Sequence, residues 1–260
     1  MASYRTNSLF HYTPKGDFLI SILKEGCLYP NYCGEDFSTE ENQNIKIGIP
    51  MVCFCDIPIS LAWSHSNRRG KYAIGLKKEW GIRNGCNPVQ YVTNEKVINA
   101  MFYFREKGID RLNTFKQNVL EEKIIKFMEE LESQEARAYM LGFVKKHDGF
   151  FKGKSECNYD ENEWRYIIED GTNGVEWMWE KDEYNSWRGD ENKPKHAPTE
   201  EMKSLGLKFN LEDVNHIILP REENVPNFIK KMQKKMNATE DEMSILFSKI
   251  TTFERIKKDI

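Results

Sequence analysis

Glu161 and Glu163 stand one residue apart in the stretch Glu161-Asn162-Glu163-Trp164-Arg165-Tyr166. A strand entered there projects both carboxylates to one side, because extended side chains alternate with period two. Two acids held that close raise the pKa of one of them, which divides the pair into an ionised stabiliser and a proton acceptor. A bare Glu-x-Glu is far more often an exposed strand start with solvated acids, and the motif alone proves nothing. What singles this pair out is its setting, ahead of an aromatic strand that carries Arg165, in a chain whose first strand ends in a histidine.

That histidine is His11, in Phe10-His11-Tyr12-Thr13, where alternation puts an imidazole and the Thr13 hydroxyl on one face. His65, in Trp63-Ser64-His65-Ser66-Asn67, follows the Phe54-Cys55-Asp56 strand by about one helix and either points back towards it or lies on a helix surface. His147, His196 and His216 receive no role. The six cysteines are scattered, with Cys53 and Cys55 flanking one Phe, which is no disulfide framework and points to a reducing compartment. Cys27, Cys33, Cys53 and Cys55 come nearest to a metal pattern, but without a CxxC pair or an HxE signature no metal site is expected.

The elements that must position these residues are legible in outline. Ser8 to Thr13 reads as a strand, and Phe18, Leu19, Ile22 and Leu23 recur at helical spacing up to Gly26, a C-terminal cap. Tyr29 to Asn44 is polar and turn-rich, the composition of a covering loop. Pro50 to Pro58 is a buried strand with a short helix at Leu61 to His65 behind it, and further strands fall at Tyr72 to Leu76 and Pro88 to Val92. From 94 to 148 glycine is scarce, proline is absent and apolar residues recur every three to four positions, predicting an inserted helical hairpin or small bundle. Strand character returns at Glu163 to Ile168, after which Trp177 to Lys195 reads as a loop. Strands at Leu207 to Phe209 and His216 to Pro220, a helix at Val225 to Met236 and a strand at Ile250 to Phe253 complete an α+β chain, read as one domain over 1–260.

Composition narrows the function classes. With 38 Lys+Arg against 41 Asp+Glu the net charge is -3, too little positive field for a duplex-DNA binder working by bulk electrostatics. A hydrophobic content of 39% and an aromatic content of 12% exclude disorder. No apolar run approaches the 18 or so residues of a membrane span, and the first residues lack a signal peptide, so no membrane association and a cytoplasmic location are expected. The basic stretches Arg68-Arg69-Gly70-Lys71 and Lys230 to Lys235 suggest a nucleic-acid module, although the second is better explained as the solvated face of an amphipathic helix.

Ser8 to Thr13, Leu19 to Gly26, Pro50 to Pro58, Tyr72 to Gly81 and Glu161 to Tyr166 together resemble the AbiGi family of abortive-infection proteins, the central block most specifically. That resemblance implies a phage-defence role and, through the family's antitoxin label, a cognate toxin or phage protein as partner. More distantly, the order His-x-Thr, helix ending in Gly, apolar strand and Glu-x-Glu is similar to the ADP-ribosyltransferase superfamily, including DarT-type enzymes that modify nucleic acid. This second resemblance implies a split antiparallel sheet holding NAD or a related nucleotide in a cleft. In it His11, Tyr12 and Thr13 would hold the nicotinamide end, Phe54 and Cys55 would occupy the second-strand motif, and His65 and Arg165 would contribute to the cleft. Glu163 would be the catalytic acid and Glu161 the residue that activates the acceptor, which is a protein, a nucleic acid or a small molecule.

The chemistry of that mapping is simple. Cleaving the bond to nicotinamide passes through an oxocarbenium-like transition state that an ionised Glu163 would stabilise, while Glu161 accepts a proton and His11 orients the substrate. Arg165 either pairs with the NAD diphosphate or holds a carboxylate inside the protein. Phe54-Cys55 departs from the Ser-Thr-Ser or tyrosine of those enzymes, so a hydroxyl is missing. The alternative is a non-enzymatic antitoxin or sensor on the same scaffold.

Overall fold

The computed structural model describes residues 6–41, 43, 45–100, 102, 139–151, 154–179, 181–189 and 198–259. Its strands are β1 Ser8–Thr13, β2 Cys27–Leu28, β3 Asn31–Asp36, β4 Lys46–Cys55, β5 Tyr72–Lys77, β6 Asn87–Pro88, β7 Gln90–Val92, β8 Val144–Lys146, β9 Asp148–Phe151, β10 Lys154–Cys157, β11 Glu163–Ile167, β12 Leu207–Lys208, β13 Val214–Leu219 and β14 Ile250–Thr252. Eight of these form one sheet in the order β14-β13-β5-β1-β4-β11-β6, with β3 also paired to β4. Every pair in it is antiparallel except β13 with β14. The fold is α+β.

β4 organises the sheet. Its first half pairs with β3 and its second half with β11, whereas β1 meets it in a single registered pair, Phe10 with Cys55. Alternation sends Val52 and Phe54 into the core that contains Leu9, Ile74 and Leu76 and packs on Leu19, Ile20 and Leu23 of α1 (Gly16–Glu25) and on Phe228 and Met232 of the helix Val225–Lys235. The opposite pleat sends Met51 into a cluster with Ile47, Ile49, Ile167 and Trp177, and Cys55 into a third with Phe10, Ala73, Ile218 and Ala62 of α2 (Ala62–Arg69). Buried on both faces, β4 reads as a continuous apolar run rather than an alternating one.

Most of the predicted elements are present, among them the α1 cap, where Gly26 takes φ 56 and donates its N–H to the Ile22 carbonyl. The polar segment 29–44 is a correction, since it contains β3. Its inward positions include Cys33, packed in the Met51 cluster, and Glu35, which bonds Arg165, so this strand carries a charge on its buried side. The inserted segment 94–148 is helical at 95–100 and at 139–141, and 103–138 lies outside the described residues. Val144, read as helical, belongs instead to β8, which pairs in parallel with β7. The segment Trp177 to Lys195, read as a loop, contains the helix Lys181–Gly189.

Candidate functional site

Glu161 and Glu163 do come together, by a different route from the one expected. Asn158–Glu161 is a 3-10 turn, and Asn162 reverses the chain in the left-handed region at φ 42 before β11 begins. Asn162 is pinned to the end of β4, its side-chain amide donating to the Asp56 carbonyl at 2.8 Å and its own carbonyl accepting the Asp56 N–H at 3.0 Å. The turn, not the pleat, therefore sets the two acids side by side. Lys145 Nζ lies between them, 2.6 Å from Glu163 Oε2 and 3.3 Å from Glu161 Oε2.

Cations close the rest of the site. Arg165 is fully buried and spends its fork on three acceptors, Glu163 Oε1 at 2.8 Å, Glu35 Oε1 at 2.7 Å and the Gly142 carbonyl at 2.6 Å. Arg69 grips both oxygens of Glu161. Arg68, one residue earlier on α2, reaches Glu161 Oε1 at 3.2 Å and Glu156 Oε2 at 2.5 Å. Glu161 and Glu163 are 1% and 4% exposed, the buried centre of an ion lattice of four acids (Glu35, Glu156, Glu161, Glu163) against four bases whose rim at Arg68, Arg69 and Glu156 reaches solvent. The Glu163 backbone N–H is held as well, donating to the Tyr91 hydroxyl at 2.8 Å.

The electrostatics shift the two acids in the same direction rather than apart. Burial alone would raise the Glu163 pKa, but Arg165 and Lys145 outweigh it and hold the carboxyl well below the usual range. Glu161 is likewise lowered, burial being overcome by Arg69 and Lys145. Burial would lower the pKa of Lys145 and Arg69, and the neighbouring glutamates instead raise both. Both carboxyls are thereby held towards the ionised form, nearby cations offsetting the mutual repulsion of the pair.

His11 stands apart from the acids. The registers Phe10 with Cys55 and Cys55 with Glu163 put Phe10, Cys55 and Glu163 on one side of the sheet, so alternation sends His11 to the other. There its ring meets Phe54 edge-on at 5.9 Å, and Nδ1 lies 2.9 Å from the Cys53 carbonyl in the gap where β1 and β4 have parted. Burial lowers its pKa and keeps it neutral, so Nδ1 carries the proton and donates it to that carbonyl. Tyr12 donates its hydroxyl to the Ala62 carbonyl at 2.9 Å, and Thr13 is buried with its backbone against Gly70. Phe54 packs between His11 and Trp80, and burial pushes the Cys55 thiol up to about 12. The single cleft joining His11 to Glu163 that the distant resemblance implied is not the arrangement found.

His65 is placed better. It shares one face of α2 with Arg68 and Arg69, three and four residues on, and burial lowers its pKa against the opposing pull of Glu161. Its Nδ1 is buried with no hydrogen-bond partner among the described residues.

A family model described as "Putative abortive phage resistance protein AbiGi, antitoxin" matches residues 27–220, which contain every member of the ion lattice. The chain belongs to the AbiGi family. It is 31% identical over 254 residues to the "Abortive phage resistance protein AbiGi" of Lactococcus lactis subsp. cremoris, covering 88% of this chain and 98% of that one. No solved structure matches. The family match begins after β1, so His11, Tyr12 and Thr13 lie outside it.

Sequence reasoning missed Glu35, Lys145 and the partnership of Arg68 and Arg69 in this AbiGi lattice. Arg68 and Arg69 were visible as a basic stretch, but their acids lie about 90 residues away. It also missed a donor group at the mouth of the β9–β10 hairpin, where His147, Asp148 and Cys157 each offer a ligand atom, all within 4.8 Å of one another. Among the described residues no helix is long and apolar enough to cross a membrane.

Proposed function

We propose that this chain acts in abortive phage resistance as a non-catalytic antitoxin that binds a cognate toxin protein. The observation that carries the reading is the closure of Glu163. One of its oxygens is paired with Arg165 and the other with Lys145, so its charge is already balanced by two cations and is less available to oppose a developing ribosyl cation. The separation of His11 from that carboxylate by the sheet points the same way, as does the absence of a hydroxyl at Phe54-Cys55. The family description supplies the genetic role.

The ADP-ribosyltransferase reading keeps one support, the placement of Glu163 at the start of β11 directly across from Cys55 at the end of β4. Incubation with labelled NAD and extract of phage-infected cells separates the two readings. Parent and Glu163→Gln are expected to release the same background level of nicotinamide and to transfer no label. Release by the parent that disappears in a folded Glu163→Gln would overturn the non-catalytic reading. Co-expression with the toxin of its own system is expected to relieve growth arrest and to give a stoichiometric complex on size exclusion.

A further inference from the structure

Outside the ion lattice the structure gathers three metal-ligating side chains in one place. Asp148 and Cys157 are registered partners at the open end of the antiparallel β9–β10 hairpin, so their side chains emerge on one face, with Cβ atoms about 5 Å apart in such pairs. His147 precedes Asp148 and is fixed at its backbone, donating its N–H to the Val92 carbonyl at 2.9 Å and accepting the Asn158 N–H at 2.8 Å. Its ring is stacked on Tyr159 at 5.6 Å and 17°, which aims the imidazole edge at the other two donors. Nδ1 lies 3.1 Å from Asp148 Oδ1, and Nε2 lies 4.0 Å from Cys157 Sγ.

We infer that His147, Asp148 and Cys157 form a binding site for a zinc-class divalent metal ion. The chemistry of the donors selects the ion. A thiolate with an imidazole beside one carboxylate is a mixed sulfur, nitrogen and oxygen set that suits zinc and disfavours magnesium and calcium, which take oxygen alone. Zinc sits about 2.0–2.3 Å from such donors, so the edges of its tetrahedron run about 3.3–3.8 Å. The present separations reach that size by side-chain rotation, with one imidazole nitrogen turning to the metal.

Access and coordination number agree. Asp148 is 70% exposed and His147 35% exposed at the side chain, which leaves an entry path from solvent. Three protein ligands leave the fourth position to water or to a side chain of a docked partner. The site is independent of the antitoxin reading, since nothing in it uses Glu161 or Glu163.

The test uses the full chain, reduced, stripped with chelator and titrated with zinc against a chromophoric zinc indicator. One equivalent is expected to bind, with affinity lost in Cys157→Ser and in His147→Ala and weakened about tenfold or more in Asp148→Asn. Cobalt in place of zinc is expected to give a thiolate charge-transfer band that Cys157→Ser removes. A measurement on the parent alone guards against variants that fail to fold. Zinc should shield Cys157 from alkylation, read by peptide mass spectrometry, and leave the other five cysteines at their metal-free rates. No zinc uptake, uptake that Cys157→Ser leaves intact, or unchanged alkylation of Cys157 would each overturn the inference.

Discussion

Lys145 Nζ stands 2.6 Å from Glu163 Oε2 and 3.3 Å from Glu161 Oε2, so one ammonium of β8 bridges the turn before β11 to the first residue of that strand. With Lys145 removed, two buried carboxylates face each other with less compensation. Taking one partner from a buried ion network is costlier than the network's own net contribution, because the charge left behind has lost its water.

Lys145→Met is therefore expected to lower unfolding free energy by about 3–5 kcal/mol in urea titrations. The double variant Lys145→Met with Glu163→Gln should lose less than the sum of the two single variants, because Gln removes the charge that Lys145 leaves uncompensated. Strict additivity would mean that the ammonium and the carboxylate do not interact in solution.

The depressed pKa values of Glu161 and Glu163 fix the sign of an acid dependence. A carboxyl whose folded pKa lies below its unfolded value of about 4.5 binds fewer protons when folded. The stability it contributes is fully present above pH 4.5 and is lost as pH falls through the folded pKa. The urea midpoint should thus hold near neutrality and fall steeply below about pH 4.5, with a shallower acid limb in Glu163→Gln. A parent midpoint insensitive to pH from 5 down to 3 would refute the charge assignment.

The parts of this chain legible in its sequence are those governed by local period and end signals. α1 with its Gly26 cap, the two-sided run of β4 and the Glu163 strand were all visible for that reason. β3 was not, because its polar residues look like loop until Arg165 is known to wait for Glu35 on the far side of β4. The acid pair was legible as a pair, but its neutralisation depends on Arg68, Arg69 and Lys145, which only the tertiary fold brings within reach. His11, read at a strand end, lies inside the β1–β5 pairing, and the register that turns it away from Glu163 is not written in local sequence.

For His11 the expected role is to tie the parted edges of β1 and β4. His11→Leu keeps the contact with Phe54 and removes the donor to the Cys53 carbonyl, leaving a part-buried acceptor unpaired at a cost of about 1–3 kcal/mol. Because burial lowers its pKa, the ring should remain neutral below pH 6.5, where a solvated histidine takes up a proton. Imidazole shifts followed by NMR would show this directly. A normal titration near pH 6.5 would mean that His11 faces water.

Asn162 carries two separable contributions to the same site. Its left-handed backbone at φ 42 turns Glu161 towards Lys145, and its side chain donates to the Asp56 carbonyl at 2.8 Å. Asn162→Gly keeps the first and loses the second, whereas Asn162→Ala loses both, since an alanine pays about 1–2 kcal/mol to occupy that region. Stability in urea should therefore fall in the order parent, Gly, Ala, with the Gly step near 1 kcal/mol for one hydrogen bond. The Ala variant should also shift the acid limb, because a displaced Glu161 leaves Arg69 and Lys145 and its pKa returns towards the ordinary carboxylate value. Equal losses for Gly and Ala would place the whole effect in the hydrogen bond and none in the turn.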